Sequence, residues 1–244
     1  MMKRRTAAIA LIIFTTIILQ ACGYPGDPKA TSHTAYKAQI TEVQQAVDDY
    51  KKKTGVLPIK NSTPETPIFE QNAIDFKRLV PEYLPEAPVN AYEEGGYFQY
   101  VIVNAETDPT VKVYDLTIIS TIQDIENKIQ VFRENKGFSP VGQILADGRY
   151  TIDYKAIGYK TAPEVKSPYS GQPLSLFMDS KSQVYVNYLP DIYNAVKASK
   201  EKLPKGKDLR YLLYAKSPYV PVASVPYALN DKGEVNFLLK TPSK

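Results

Sequence analysis

Residues 40–58, ITEVQQAVDDYKKKTGVLP, have a counterpart at residues 122–140, IQDIENKIQVFRENKGFSP. In both copies apolar residues recur at spacings of four and three, which predicts an apolar stripe along one face of an α-helix. Glycine and then proline follow each helix, and this order is typical of a helix end. The predicted stripes are Tyr36, Ile40, Val43, Val47 and Tyr50 in the first copy, and Ile118, Ile122, Ile125, Ile129 and Phe132 in the second.

A third, more diverged copy begins at Leu189 with LPDIYNAVKASKEKLP, where Leu189, Ile192, Val196 and Leu203 continue the stripe. The segments after the helices also recur: NAIDFK at 72–77 resembles YTIDYK at 150–155, and KSPY occurs at 166–169 and again at 216–219. Each copy then ends in two β-rich runs around a turn, which predicts a hairpin. These paired runs are YFQYVIVN with VKVYDLTII, PLSLFMD with QVYVNYL, and VPYALN with EVNFLLK.

The repeated pattern predicts an α+β protein built from three diverged units of amphipathic helix, loop and antiparallel β-hairpin. The units span residues 34–117, 118–186 and 187–244. One such unit buries too little surface to be stable alone, so we expect neighbouring units to pack together. The units could lie in a row, each helix on its own small sheet, or the three hairpins could share one continuous sheet.

The first 21 residues are typical of an export signal. Lys3, Arg4 and Arg5 precede an apolar run, Ala7 to Leu19, that is shorter than the roughly 20 residues needed to span a membrane. The run ends in LQAC at 19–22, which resembles the bacterial lipobox. That resemblance implies cleavage before Cys22 and lipidation of its thiol. An uncleaved signal anchor, or an ordinary signal peptide followed by a chance cysteine, is the alternative.

The basic composition of the chain comes mainly from this signal. It contains three of the 30 Lys and Arg residues and none of the 26 Asp and Glu, which leaves the remainder with a net charge of +1. Nucleic-acid binding therefore has no electrostatic support. The predicted tether, residues 22–33, is rich in Gly and Pro. Its eleven residues after the cysteine reach at most roughly 36 Å, so the folded part is expected to act close to the membrane.

Few residues of the chain are suited to catalysis or metal binding. The only histidine, His33, lies in the tether, which argues against a His-based triad or zinc site. No phosphate loop, nucleophile elbow or calcium loop is recognisable, and we expect no cofactor. Asp75 and Asp153 could form an acid–base pair, but they occupy matching positions in two copies, so the repeat itself explains them.

The KSPY turns provide the candidate binding residues Lys166, Tyr169, Lys216 and Tyr219. Proline and serine account for a turn without any ligand, while exposed Lys and Tyr side chains could contact one. Two basic stretches, residues 51–53 and Lys197 to Lys207, follow helix ends. Cations are favourable there because of the helix dipole, and they could also face anionic headgroups or wall polymers.

From MMKRR through LQACGYPG to the tyrosine-rich hairpins, the chain resembles a lipoprotein family of bacilli of the YphF type. The resemblance implies the outer face of a Gram-positive cell membrane and no particular activity. The segment YKKKTGVLP also resembles the helix end of pilin globular domains, although the pilin-type leader is missing.

Together these observations favour a lipid-anchored, non-enzymatic interaction module whose partner is an envelope protein or a wall polymer. The alternatives are a lipoprotein that binds a small molecule or glycan in a tyrosine-lined cleft, and an enzyme with an unrecognised carboxylate site.

Overall fold

The computed structural model describes residues 32–238, so the predicted signal, residues 1–21, and Cys22 lie outside the described residues. By its internal contacts the chain divides into Met1–Ala38 and Gln39–Lys244. Four α-helices are present among residues 32–238: α1 (Ser32–Thr54), α2 (Leu116–Lys136), α3 (Leu189–Ala198) and α4 (Tyr211–Tyr214). Short 3₁₀ helices occupy Phe76–Arg78 and Tyr92–Glu94.

The strands form four small antiparallel sheets in residues 32–238. The strands are β1 (Phe98–Val103), β2 (Thr110–Asp115), β3 (Val141–Ala146), β4 (Arg149–Ile152), β5 (Val165–Lys166), β6 (Pro173–Leu174), β7 (Leu176–Asp179), β8 (Val184–Val186), β9 (Tyr227–Leu229) and β10 (Val235–Phe237). Strands β1 and β2 pair, β3-β4-β7-β8 form one sheet, and β5 with β6 and β9 with β10 form two-stranded pairs. The α+β prediction is therefore confirmed.

The first hydrophobic core lies between α1 and the β1–β2 hairpin. Val43 and Val47, both from the predicted stripe, are fully buried, and Ile40 and Tyr50 are partly buried against the same core. The segment between α1 and β1 contributes Ile74 and Leu79, which are also fully buried. This long connection therefore closes the core instead of lying loose on the surface.

The β1–β2 hairpin is buried on both faces. Successive residues of a strand point to opposite faces. Accordingly Tyr100 and Ile102 enter the first core, whereas Val101 and Val103 enter a second core. The hairpin is thus a shared wall between the two cores, which explains why five consecutive residues of β1 are buried.

The second core combines the two later predicted units. Ile118, Ile122, Ile125 and Ile129 of α2 are all buried in it, and Phe132 packs at its edge. Strands β7 and β8 lie in the same core as Ile192 of α3 and Tyr227 of β9. The second core thus joins residues of α2 to those of α3 and β9, and the β1–β2 hairpin adds Val101 and Val103 to it.

The three predicted hairpins occur as β1–β2, β7–β8 and β9–β10, in three different sheets, so the alternative of one continuous sheet is wrong. Two boundaries also differ from the prediction. The second run of the first hairpin is predicted to continue to Ile119, but strand β2 ends at Asp115. The Asp115 carboxylate Oδ1 accepts the Thr117 N–H at 2.8 Å and so caps α2. Helix α3 ends at Ala198, before Leu203, because the backbone of the following residue, Ser199, is extended.

The first two copies share local geometry. Gly55 and Gly137 both have a positive φ, and each N–H donates to the carbonyl four residues earlier at 2.8 Å. Further on, Asp75 N–H donates to Pro58 O and Asp153 N–H donates to Pro140 O, again both at 2.8 Å. The matching sequence segments therefore make matching main-chain contacts after their helices.

Candidate functional site

The two KSPY segments form similar turns that meet in space. In the first, Ser167 Oγ accepts the N–H groups of Tyr169 and Ser170, each at 3.0 Å. In the second, Ser217 Oγ accepts the Tyr219 N–H at 3.2 Å. The Tyr169 hydroxyl donates to the Tyr219 carbonyl at 3.3 Å, which links the two turns.

Both tyrosines of these turns take part in packing. Tyr169 lies edge-on to the buried Tyr188 ring at 6.0 Å between centroids, and burial raises the pKa of its hydroxyl. The backbone around Tyr219 extends the first hairpin, since Val113 N–H donates to Pro218 O and Val220 N–H donates to Val113 O. Their lysines, Lys166 and Lys216, are exposed. The lysines are therefore exposed, whereas the two tyrosines are only partly exposed.

The two repeated aspartates serve their own local backbone. Asp75 Oδ1 accepts the Lys77 N–H at 3.3 Å, and Asp75 Oδ2 pairs with Arg78 Nε at 3.2 Å. Asp153 Oδ1 accepts the Ala156 N–H at 3.2 Å. These contacts explain both residues as turn and helix caps, and they bring no second carboxylate to either one.

An open groove of about 890 Å³ runs along the segment between α1 and β1. Two ion pairs lie in its lining: Lys60 Nζ lies 2.7 Å from Glu93 Oε1, and Asp75 pairs with Arg78. The lining residues are Lys60, Asn61, Asp75, Phe76, Lys77, Arg78, Val80, Glu86, Ala87, Glu93 and Glu94. The two pairs cancel their own charges, and Lys77, Glu86 and Glu94 leave the lining with a net charge of −1.

A second groove of about 620 Å³, which we term the aromatic groove, lies where residues 68–69 meet residues 205–214. Its lining combines aromatic rings with basic side chains: Ile68, Phe69, Lys205, Gly206, Lys207, Asp208, Arg210, Tyr211 and Tyr214. A smaller cavity of about 340 Å³ adjoins it and shares Ile68, Phe69 and Arg210. The aromatic groove brings together residues of the first and third predicted units.

Strand β3 is an exposed edge of the four-stranded sheet. It pairs only with β4, and its register shifts twice, between Val141 and Ile144 and again before Ala146. Ile144 is 76% exposed, Leu145 43% and the preceding Phe138 63%. Residues 137–146 contain no charged side chain. We refer to Phe138 and β3 together as the apolar edge.

Neither the aromatic groove nor the apolar edge was predicted from the sequence. The apolar edge had a usable signal, because Asp147-Gly148 between two apolar runs favours a tight hairpin, here β3–β4. The aromatic groove has no such signal in the sequence, because Phe69 and Arg210 are far apart in the chain.

Within residues 32–238, no group of three or more His, Cys, Asp and Glu could hold a metal ion. No helix in that part of the chain is long and apolar enough to cross a membrane.

Comparison with known proteins gives one match. Residues 36–115 match the family model described as the YphF family N-terminal domain. This segment runs from α1 to the end of β2 and so contains the whole of the β1–β2 hairpin. No curated protein and no solved structure matches the chain. The chain is therefore similar to the YphF family over residues 36–115, which are 80 of its 244 residues.

Proposed function

We propose that the protein is a lipid-anchored lipoprotein at the outer face of the cytoplasmic membrane, and that its folded part is a non-enzymatic interaction module. The lipobox-like LQAC at residues 19–22 supports the anchor. Two acyl chains on Cys22 hold a protein stably on a bilayer, whereas a single chain binds only marginally. Wall polymers and other envelope proteins are then within reach of the folded part.

The apolar edge is the observation that carries the interaction role. Natural proteins protect the edge strands of sheets with charged side chains, proline or a covering element, because an unpaired edge readily accepts another strand. The register shifts of β3 give partial protection, but its side chains are uncharged and exposed. Such a strand is suited to pair with an extended segment of another chain.

The occupant that best fits this edge is an extended, uncharged segment of a second envelope protein. Charge complementarity decides this choice. Residues 137–146 carry no charge, and the nearest charged residues in the sequence are Lys136 and Asp147 at its two ends. A charged segment paired along this stretch would therefore lose its hydration without an opposite charge beside it. Pairing would satisfy main-chain groups, while Ile144 and Leu145 would supply the apolar contact.

Leu145→Lys is expected to reduce the recovery of this partner about tenfold, since the lysine would have to be desolvated in the paired edge. The full-length protein is crosslinked in cells, purified from membranes, and the partner is quantified by mass spectrometry relative to the protein itself. Val89→Lys is the matched control, because Val89 is 69% exposed and lies outside β3. Equal recovery in the two variants contradicts a role for the apolar edge. Recovery of the protein crosslinked only to itself would show that a second copy occupies it.

A second candidate function, binding of a small molecule or glycan, is favoured by the aromatic groove. The third, an enzyme with a carboxylate site, draws no support from Asp75 or Asp153, whose carboxylates cap local turns.

A further inference from the structure

We infer that the aromatic groove binds a chain in which phosphate groups alternate with uncharged sugar or polyol units. This site is separate from the apolar edge and does not depend on it. The inference rests on three features of the groove: a rigid aromatic wall, a basic end without carboxylate partners, and an acidic neighbouring cavity that limits where negative charge can lie.

The aromatic wall is held in place by Arg210. This side chain is 6% exposed, and its guanidinium carbon lies 5.0 Å from the centroid of Phe69. Arg210 Nη2 pairs with Asp208 Oδ2 at 2.8 Å, and Nη1 donates to Ser224 O at 2.9 Å. Its donors are thus engaged inside the protein, and Asp208 is neutralised. Arg210 therefore fixes the floor of the groove and is not itself free to bind a ligand.

Tyr211 and Tyr214 supply the ring surface, and Phe69, which is only 7% exposed, packs behind Tyr214. Phe69 and Tyr214 pack edge to face with centroids 5.6 Å apart, which orients the Tyr214 ring along the groove. Tyr211 and Tyr214 are both partly exposed. Aromatic faces of this kind stack on the C–H surfaces of sugars, while the tyrosine hydroxyls remain available to polar groups. The wall is therefore suited to an uncharged sugar or polyol unit.

The basic end lies beside this wall. Lys207 Nζ lies over the Tyr211 ring, 5.7 Å from its centroid, so this cation is next to the ring surface. Lys205 Nζ donates to the main-chain carbonyl of Asp231 at 2.7 Å. Within residues 32–238, neither lysine has a carboxylate within 4.0 Å, and the same is true of Lys197, Lys200 and Lys202. Of these five exposed lysines only Lys205 and Lys207 line the groove, and their positive charges attract anions to this end.

The adjoining cavity limits the negative charge of the ligand. It is lined by Glu65, Glu70 and Glu126, so a densely charged polyanion would be repelled there. Burial raises the pKa of the Glu70 carboxyl in this cavity. A chain with spaced phosphates can place one at Lys205 and Lys207 and an uncharged unit over the rings. A flat bilayer surface has no part that enters a concave groove in this way.

The test is a calorimetric titration of the full-length protein, purified in a nonionic detergent, with a glycerol-phosphate oligomer. Binding is expected to weaken about tenfold when Lys205→Gln and Lys207→Gln are combined, because two charge-assisted contacts are lost. Lys51→Gln with Lys52→Gln is the matched control: it removes the same charge from another basic stretch and is expected to change the affinity less than twofold. Binding is also expected to weaken as salt rises.

Two further sets of measurements are needed. One distinguishes the contribution of ring stacking from that of charge, and the other distinguishes binding of the polymer from binding of lipid. Tyr211→Ala is expected to weaken binding about fivefold, whereas Tyr211→Phe keeps the stacking surface and most of the affinity. A neutral oligosaccharide is expected to bind more weakly than the phosphate oligomer. No binding of the oligomer, or equal losses in the two double lysine variants, overturns the proposal. Binding only to phosphatidylglycerol vesicles overturns it too, and would assign the lysines to lipid headgroups.

Discussion

Ile125→Asp is expected to lower the free energy of unfolding by about 4 kcal/mol, because it buries a carboxylate that has no partner. Ile125 is fully buried at the centre of the α2 stripe, among residues that come from both of the later predicted units. The second core would therefore lose stability as a whole. Thermal or denaturant unfolding of the purified full-length protein measures the effect.

Val131→Asp provides the control on the same helix. Val131 is 57% exposed, so the same change of chemistry should alter stability by only about 0.5 kcal/mol. A similar loss in both variants would point to the helix propensity of aspartate as the cause. Unchanged unfolding of the Ile125 variant would contradict the assignment of α2 to the core.

Cys22→Ser is expected to abolish lipidation altogether. Serine has no thiol for lipidation, so the variant should accumulate as an unprocessed precursor without acyl chains. Cys22 is the only cysteine of the chain, which means that the substitution breaks no disulfide. The fold should therefore survive. Because the precursor keeps the apolar segment of the signal, the lipid on the N-terminal peptide, and not membrane retention by itself, reports the anchor.

Cell fractionation and the mass of the N-terminal peptide measure this effect. The wild-type protein should yield a peptide that begins at Cys22 and carries the mass of the lipid, and the variant should retain residues 1–21. Normal mature lipoprotein in the variant would remove the claim of an anchor at Cys22.

The parts of the fold that follow from local sequence could be predicted. The spacing of Ile118, Ile122, Ile125 and Ile129 predicts the buried face of α2, and all four side chains are buried. Gly137 predicts the end of the helix, and its φ of +80° shows why glycine suits the position. Such features depend on residues within one or two helical turns of each other, which a sequence displays directly.

The arrangement of the cores could not be predicted in the same way. The prediction placed each helix on its own hairpin, whereas β1 divides its side chains between two cores: Tyr100 faces the first and Val101 the second. A continuous apolar run such as YVIV is compatible with a strand buried on both faces, but the run does not identify the elements that cover each face. That choice depends on contacts between residues far apart in the chain.

The candidate sites show the same limit. The KSPY repeat drew attention to Tyr169 and Tyr219, which the fold uses to join two turns. The aromatic groove depends instead on Phe69 meeting Tyr214 and Arg210, more than a hundred residues away along the chain. No short motif marks that meeting, so it becomes visible only in three dimensions.

The most direct test of the interaction role is a photo-crosslinking amino acid placed at residue 144 of the full-length protein in cells, with residue 89 as the control position. Both side chains are well exposed, at 76% and 69%, so general accessibility does not distinguish them. We predict that position 144 crosslinks to an extended, uncharged segment of one envelope protein and that position 89 does not. The mass of the joined peptides identifies that segment. Absence of a crosslink at position 144, or the same scattered products at both positions, would contradict this prediction.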